Sequence, residues 1–265
     1  MSKINNKQWL ALGAFLVLFL VLYFQCETKP PTQQAIEKSR ALNAESTDIN
    51  ALLKEAKVGL ESREANDILA AEAQLNDATS DSTRVEAFKG LASVWYAAGK
   101  PEISGYYAEL VAEIEEQAEP WAIAGTTFSI CLQQTQAEKI KSFCRDHAIQ
   151  AFENAISINS SDTDSRINLA LIYTEAPPAD QPMKGILMLR ELNEQFPENT
   201  SVLINLGRLG IQTGQFDKAI GRLEKAYELN PTDLRAACLL AEAYRGLGNE
   251  VESAKYASLC QQGTN

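Results

Sequence analysis

The residue with the most evident potential for acid–base chemistry in this 265-residue chain is His147, which is its only histidine. Its acidic neighbour Asp146 is adjacent in the sequence, so on a helix the two side chains would not face each other as residues one turn apart do. No second histidine is present to share a metal ion or a proton. We interpret His147 as a surface or half-buried structural residue, and we predict no enzymatic activity, no metal site and no cofactor.

The five cysteines are the other residues with chemistry of their own. Cys131 and Cys144 bracket an insertion between two predicted helices, and a helical hairpin would bring them together. Two readings are open: a disulfide that clamps the turn, which requires that this part of the chain is exported to an oxidising compartment, or a pair of buried free thiols. Cys238 and Cys260 are predicted to pack as small core side chains. No C-x-x-C spacing points to zinc binding or to thioredoxin-like chemistry.

Charge excludes one class of partner. The chain has 35 acidic and 24 basic residues, a formal net charge of −11 and a pI near 4.8. No predicted helix carries a basic stripe, so the chain would repel a phosphate backbone. We therefore predict no binding to nucleic acid.

A stretch of sixteen residues without charge, from Trp9 to Phe24, is apolar enough to enter a membrane. As a helix it would span roughly 24 Å, slightly less than a hydrocarbon core of about 30 Å. We predict an N-terminal tail at 1–8, a transmembrane anchor at 9–25 and a stiff, proline-containing stalk at 26–34. The alternatives are a cleaved signal, a lipoprotein modified at Cys26, and a buried core helix.

The charges that flank the predicted anchor are nearly balanced. Lys3 and Lys7 lie on one side, and Lys29 and Lys38 lie on the other. The short tail also has a free amine, whose positive charge favours a cytoplasmic N-terminus. We therefore predict a single-pass protein of the bacterial inner membrane whose C-terminal domain is periplasmic.

Beyond the stalk, apolar residues recur at helical spacing and no alternating strand pattern occurs. Residues 46–60 illustrate this, with Asp48 as a predicted N-cap. One face of that helix would carry the apolar residues Ile49, Leu52, Leu53, Ala56 and Leu60. The sequence thus predicts an all-α fold.

Small and bulky residues repeat along these helices at a fixed period. Gly214 is predicted to form a turn between two helices that carry Leu203, Leu206, Gly207, Ala219, Leu223 and Ala226, and Pro231 is predicted to end the second helix. Thirty-four residues after six of these positions, counting the glycine turn, stand Leu240, Ala241, Gly248, Ser253, Ala257 and Cys260. We interpret the spacing as helix packing, in which Gly207 faces Ala219 so that two antiparallel helices approach closely.

This pattern resembles the tetratricopeptide repeat (TPR), a helix–turn–helix unit of 34 residues. The resemblance implies an all-α, right-handed superhelical solenoid built from stacked units. It extends over residues 85–265 in about five units, at 85–117, 118–162, 163–199, 200–233 and 234–265. A helical leader at 35–84 would precede the TPR domain.

The resemblance also implies a concave groove lined by the first helix of each unit. The groove positions of the family fall on Asn168, Leu171, Ile204, Asn205, Arg208, Gln212, Arg235 and Leu239. The asparagines would bond the backbone of an extended peptide, and the arginines would meet a carboxylate. Ile167 and Leu239 stand where carboxylate-binding grooves of the family have basic residues, which argues against recognition of a C-terminal carboxylate.

Together these features predict a membrane-tethered, non-catalytic TPR scaffold that binds protein or peptide partners in the cell envelope. One alternative is a structural homo-oligomer assembled through the C-terminal end of the solenoid, where the face with Ala254 and Ala257 would lack a capping helix. Another is a receptor in an organelle outer membrane whose repeats face the cytosol.

Overall fold

Twelve α-helices and no strand make up residues 48–261, the part of the chain that this computed structural model describes. The helices are α1 (Ile49–Ala56), α2 (Ser62–Asp77), α3 (Asp81–Ala97), α4 (Pro101–Glu115), α5 (Ala118–Gln134), α6 (Glu138–Ile158), α7 (Thr163–Glu175), α8 (Lys184–Gln195), α9 (Thr200–Gln212), α10 (Phe216–Leu229), α11 (Leu234–Gly246) and α12 (Glu250–Gln261). The all-α prediction is confirmed for this range. The predicted anchor and stalk lie outside the described residues, and no helix within residues 48–261 is both long and apolar enough to cross a membrane.

From α3 onwards the helices form five hairpins, which are α3–α4, α5–α6, α7–α8, α9–α10 and α11–α12. Contacts also join the second helix of each hairpin to the first helix of the next. Successive apolar clusters fill the array and include Trp95, Phe128, Leu189, Leu223 and Leu240, all of them fully buried. Each hairpin thus covers an apolar face of its neighbour.

Glycine closes the turn of three hairpins. Gly99, Gly214 and Gly248 have φ values of 69°, 71° and 75°. A side chain is strained in this left-handed region, so glycine allows the chain to reverse direction directly after a helix. The prediction that Gly214 forms the turn between its two helices is confirmed.

Glycines inside the helices allow paired helices to approach closely. A β-carbon added to Gly207 would lie 2.5 Å from Cγ of Leu223, and one added to Gly210 would lie 3.0 Å from Cβ of Ala219. The predicted pairing of Gly207 with Ala219 is therefore wrong by about one helical turn. Gly207 precedes the Gly214 turn by seven residues. In an antiparallel hairpin it faces a residue at least as far beyond that turn, and Ala219 lies too close to the turn to be that residue.

The same device admits aromatic rings at other contacts. A β-carbon on Gly125 of α5 would lie 2.8 Å from the ring of Phe152 on α6, within one hairpin. One on Gly105 of α4 would lie 2.7 Å from the ring of Phe128 on α5, which belongs to the next hairpin. Both rings are completely buried. Glycine thus sets helix spacing within hairpins and between them.

The insertion in the second hairpin does not form a long loop. Only residues 135–137 separate α5 from α6. The extra residues instead lengthen both helices, to 17 and 21 residues, compared with 13 and 14 in α9 and α10. The expectation that the inserted residues separate the two helices is therefore wrong, because their apolar spacing continues both helices.

Two tyrosines link successive hairpins in the same way. The Tyr173 hydroxyl donates a hydrogen bond to the carboxylate of Glu153 at 3.3 Å, and the Tyr244 hydroxyl donates one to Glu224 at 2.7 Å. Each bond joins the second helix of one hairpin to the first helix of the next, across a separation of 20 residues. The bond to Glu224 raises the pKa of Tyr244 above its ordinary value.

In the leader, α1 is shorter than predicted. It ends at Ala56, and Gly59 then adopts a φ of 92°. Leu52 and Ala56 are buried as the apolar pattern indicates, but Leu60 follows the helix and does not belong to its face. The left-handed glycine ends the helix before the apolar spacing does.

His147 is half-buried on α6 and pairs with a buried carboxylate. Its Nδ1 atom lies 2.8 Å from Oε2 of Glu109 on α4, and the Glu109 side chain is only 8% exposed. The imidazole also packs against the rings of Phe143 and Phe128, with centroids 4.2 and 5.1 Å away. These contacts give His147 the half-buried structural position that we predicted.

Replacing Gly185 with alanine should destabilise the fold, because α7 and α8 touch at this glycine. A β-carbon there would overlap backbone atoms of Ala170, Tyr173 and Thr174. Backbone atoms cannot rotate away as a side chain can, so we expect the free energy of unfolding to fall by about 2–3 kcal/mol in urea denaturation.

Gly221→Ala is the matched control, since Gly221 lies within α10 and an added β-carbon would have no atom within 4 Å. Alanine there should raise the free energy of unfolding by about 0.5–1 kcal/mol, because glycine is the poorer helix former. Changes of the same sign in the two variants would contradict the close contact at Gly185.

Replacing His147 with leucine should leave the Glu109 carboxylate buried without a partner among the described residues. We expect the free energy of unfolding to fall by about 3 kcal/mol, measured by urea denaturation at pH 7. The double variant Glu109→Leu/His147→Leu removes the buried carboxylate as well and should recover most of that loss. A double variant as unstable as the single one would show that packing, and not the pair, is responsible.

Candidate functional site

The first helices of four successive hairpins, α5, α7, α9 and α11, share a cavity of about 480 Å³, which we call the Arg208 cavity. Five of the predicted groove residues line it, namely Asn168, Leu171, Asn205, Arg208 and Arg235. They come from α7, α9 and α11, so the stacking of hairpins brings together side chains that are up to 67 positions apart in the sequence.

A second cavity of about 650 Å³, here called the Cys238 cavity, continues from the first towards α12. It is lined by Ile204 and Leu239, and it shares Asn205, Arg208 and Arg235 with the Arg208 cavity. Ile204 is only 4% exposed and Leu239 packs against the same core cluster, so these two residues form an apolar floor. Gln212 is exposed and lines neither cavity.

Of the two arginines that line both cavities, Arg208 is the one that remains free to meet a ligand. Its side chain is half-buried, and its Nε atom is shielded from solvent without a hydrogen-bond partner among the described residues. A buried donor with no partner costs roughly 1–3 kcal/mol, and more when the group is charged. A carboxylate that entered the cavity would pair with the guanidinium nitrogens that remain accessible.

Arg235 already has a partner. Its guanidinium donates to both carboxylate oxygens of Asp233, with distances of 2.9 Å from Nε to Oδ1 and 2.6 Å from Nη2 to Oδ2. These hydrogen bonds hold the pKa of the Asp233 carboxyl below its ordinary value. We predicted that both arginines would meet a carboxylate of a ligand, but the two differ in this structure. Asp233, at the N-terminus of α11, already balances most of the charge of Arg235.

The two asparagines differ in a similar way. The side-chain amide of Asn205 donates to the Ser201 carbonyl at 2.9 Å, which leaves its oxygen available as an acceptor. The side chain of Asn168 makes no hydrogen bond among the described residues, so both its donor and its acceptor are available. One residue can therefore accept from a peptide N–H, and the other can both accept and donate.

Sequence reasoning missed the contribution of α5 to the Arg208 cavity. Thr126 and Ser129 line it, although their hydroxyls donate to the carbonyls of Ala122 and Gly125 in their own helix. A signal was present, because the glycine of α5 aligns with Gly207 and so places Thr126 at the position of Arg208. The lengthened helices of this hairpin obscured the alignment.

Both cysteine pairs are joined by disulfides. Cys131 of α5 and Cys144 of α6 are bonded with a Cα–Cα distance of 6.1 Å. Cys238 of α11 and Cys260 of α12 are also bonded, with a Cα–Cα distance of 4.9 Å, so the expectation that they pack as free thiols is wrong. The antiparallel pairing sets the second turn of α11 beside the last turn of α12, and this bond forms part of the wall of the Cys238 cavity.

Within residues 48–261, no group of three or more histidine, cysteine, aspartate or glutamate side chains is arranged to hold a metal ion. The two cavities offer a ligand hydrogen bonds, apolar surface, the free cation of Arg208 and the carboxylates of Asp164 and Glu175.

Comparison with solved structures finds matches of low sequence identity. MamA from residue 41 to its end, from Desulfovibrio magneticus RS-1, is 14% identical over 67% of this chain and 93% of that chain, with a TM-score of 0.47. YrrB, described as a TPR protein with an unusual peptide-binding site, is 14% identical over 72% of this chain and 90% of that chain, with a TM-score of 0.42. No curated protein matches the chain.

A protein family matches one segment of the sequence. The tetratricopeptide repeat family matches residues 200–233, the segment that contains α9, the Gly214 turn and α10. This segment also supplies Ile204, Asn205 and Arg208 to the two cavities. The chain therefore carries a tetratricopeptide repeat at residues 200–233, and its predicted resemblance to that family is confirmed.

Proposed function

We propose that this protein is a membrane-tethered, non-catalytic TPR scaffold of the cell envelope that captures an extended segment of a partner protein in the Arg208 cavity. The hairpins would continue as a right-handed superhelical solenoid with this cavity on its concave side. The ligand would be a peptide in extended conformation that carries an acidic side chain.

The observation that supports this proposal most directly is the unpartnered Nε atom of Arg208. It lies in a cavity that also contains Asn168 and Asn205 from two successive hairpins. An extended peptide has backbone N–H and C=O groups at regular intervals, and the two asparagines offer acceptors and a donor to such groups. A carboxylate on the same peptide would pair with the Arg208 guanidinium.

The chemistry of the lining favours an internal acidic residue over a chain terminus. Recognition of a terminal carboxylate needs several converging cations, but Ile167 and Leu171 line the cavity beside Asn168, and Arg235 is paired with Asp233. Asp164 and Glu175 also line the cavity and would repel a second anionic group. One carboxylate, flanked by neutral residues, is the arrangement that the charges accommodate.

Two further features support the envelope location. Disulfides persist in oxidising compartments, and the described part of this chain has two, Cys131–Cys144 and Cys238–Cys260. The apolar stretch at residues 9–25 has the composition of a membrane anchor. We propose that the anchor spans the bacterial inner membrane and that the repeats lie in the periplasm.

The double substitution Asn205→Ala/Arg208→Ala should weaken capture of the partner by roughly tenfold, because it removes an acceptor and the free cation together. The measurement is crosslinking in native membranes, with the captured protein identified and quantified by mass spectrometry. Unchanged capture by a variant with the same circular dichroism spectrum would remove the Arg208 cavity from the proposal.

Gln212→Ala provides the matched control. Gln212 lies on the same helix and belongs to the same predicted groove, but it lines neither cavity. Capture should remain as in the unsubstituted chain. A loss as large as that of the double variant would point to a different binding surface on α9.

A second candidate function, a structural homo-oligomer, is supported by apolar side chains on the last hairpin. Val251 of α12 is 78% exposed and Leu247 is 45% exposed in the described part of the chain. A second copy packed on this end would bury both. Light scattering of the full chain, with the detergent contribution subtracted, tests this, because a monomer at high concentration would exclude it.

A further inference from the structure

A third cavity lies where α8, α9 and α10 meet, and we call it the Arg222 cavity. It has a volume of about 440 Å³. Its lining includes the apolar side chains of Ile186, Leu206 and Leu209 and the cationic side chains of Arg190, Lys218 and Arg222. The cavity therefore combines an apolar recess with three cations.

The charge of this cavity is unusual for the chain. No aspartate or glutamate lines it, although acidic residues outnumber basic ones 35 to 24 in the whole sequence. Arg190 and Arg222 make no ion pair or side-chain hydrogen bond among the described residues, and Lys218 bonds only to the neutral side chain of Gln215, at 3.2 Å. Three cations thus face a recess in which nothing neutralises them.

The Arg222 cavity is separate from the cavity of the proposed function. On α9 it is lined by Leu206, Leu209 and Gly210, whereas the Arg208 cavity is lined by Ser201, Asn205 and Arg208. With about 3.6 residues per turn, these two sets lie about a third of a turn apart around the helix axis. A ligand in one cavity would leave the other open.

We propose that the Arg222 cavity binds an acidic amphipathic segment of a partner protein, distinct from the ligand of the Arg208 cavity. A leucine-sized side chain of the segment enters the recess against Leu206 and Leu209. Carboxylates on either side of it pair with Arg190 and Arg222, for which guanidinium groups are the suitable partners. Met183 at the rim, 50% exposed, has the flexible side chain that adapts to such contacts.

The net charge of the chain favours a peptide segment over an anionic membrane surface. A flat bilayer would have to approach a large area of a protein whose formal charge is −11, and it would be repelled. A single helix or strand is narrow enough to meet the three cations without approaching the surrounding acidic surface. The apolar recess also gives no advantage to a small inorganic anion.

The test uses a fluorescein-labelled, 16-residue helical peptide with leucines on one face and glutamates beside them, and a second peptide with lysines in place of the glutamates. Binding to the full chain in zwitterionic lipid nanodiscs is measured by fluorescence anisotropy. We expect the glutamate peptide to bind and the lysine peptide to fail. We also expect Arg190→Glu/Arg222→Glu to weaken binding at least about tenfold, and added salt to weaken binding to the unsubstituted chain.

Two controls make the result specific. Lys139→Glu/Arg245→Glu changes the net charge by the same amount at two exposed residues outside the cavity, and it should bind the glutamate peptide normally. Asn205→Ala/Arg208→Ala should also bind it normally, so failure of the proposed function and failure of this inference are separate results.

Five outcomes would overturn the proposal. Four concern the peptides: equal binding of the two peptides, no binding of the glutamate peptide, an equal loss in the control reversal, and no loss in the Arg190→Glu/Arg222→Glu variant. The fifth is association with phosphatidylglycerol vesicles that the Arg190→Glu/Arg222→Glu variant abolishes and the control does not. That result would assign the three cations to a membrane surface.

Discussion

The close approach of helices at glycine is the contact on which the rest of the array depends. The side chain of Leu223 occupies the space that a β-carbon on Gly207 would fill, and the ring of Phe152 does the same at Gly125. Each contact fixes the rotation of one helix against its partner, since only one side of the helix has the notch. Once the rotation is fixed, the remaining sides of the helix have fixed directions as well. The polar side of α9 then faces the Arg208 cavity, and another side faces the Arg222 cavity.

Local spacing was sufficient to predict the hairpins. A glycine turn, helical apolar spacing and a 34-residue period identify α9 and α10, and the family match covers the same residues. It was harder to predict which residues face each other across the hairpin, because this depends on where the turn reverses the chain. The pairing of Gly207 with Ala219 failed for this reason, although the small residue itself was correctly interpreted as a packing notch. The lengths of α5 and α6 were also missed, since an insertion that continues the helical spacing extends a helix without leaving a loop signal.

For the candidate site too, the sequence predicted where residues lie better than it predicted which side chains they bind. The repeat register brought seven of the eight groove residues to two adjoining cavities, because equivalent places in stacked hairpins point in similar directions. Register could not reveal that Asp233, which also caps α11, would bind the guanidinium of Arg235. It equally could not show that Arg208 lacks a partner. Such differences arise from side-chain geometry within one helix turn, which a repeat pattern leaves undetermined.

The two disulfides act where the glycine contacts leave a hairpin less constrained. Cys131–Cys144 joins the lengthened parts of α5 and α6, beyond the contact of Gly125 with Phe152. Cys238–Cys260 closes the last hairpin at the end away from the Gly248 turn, where the described chain adds no further helix. The bonded cysteines are 13 and 22 residues apart. Closing a loop of this size lowers the entropy of the unfolded chain and so raises the free energy of unfolding by about 3 kcal/mol for each bond. The second bond also forms part of the wall beside Arg235 and Leu239, so it stabilises the fold and shapes the Cys238 cavity at once.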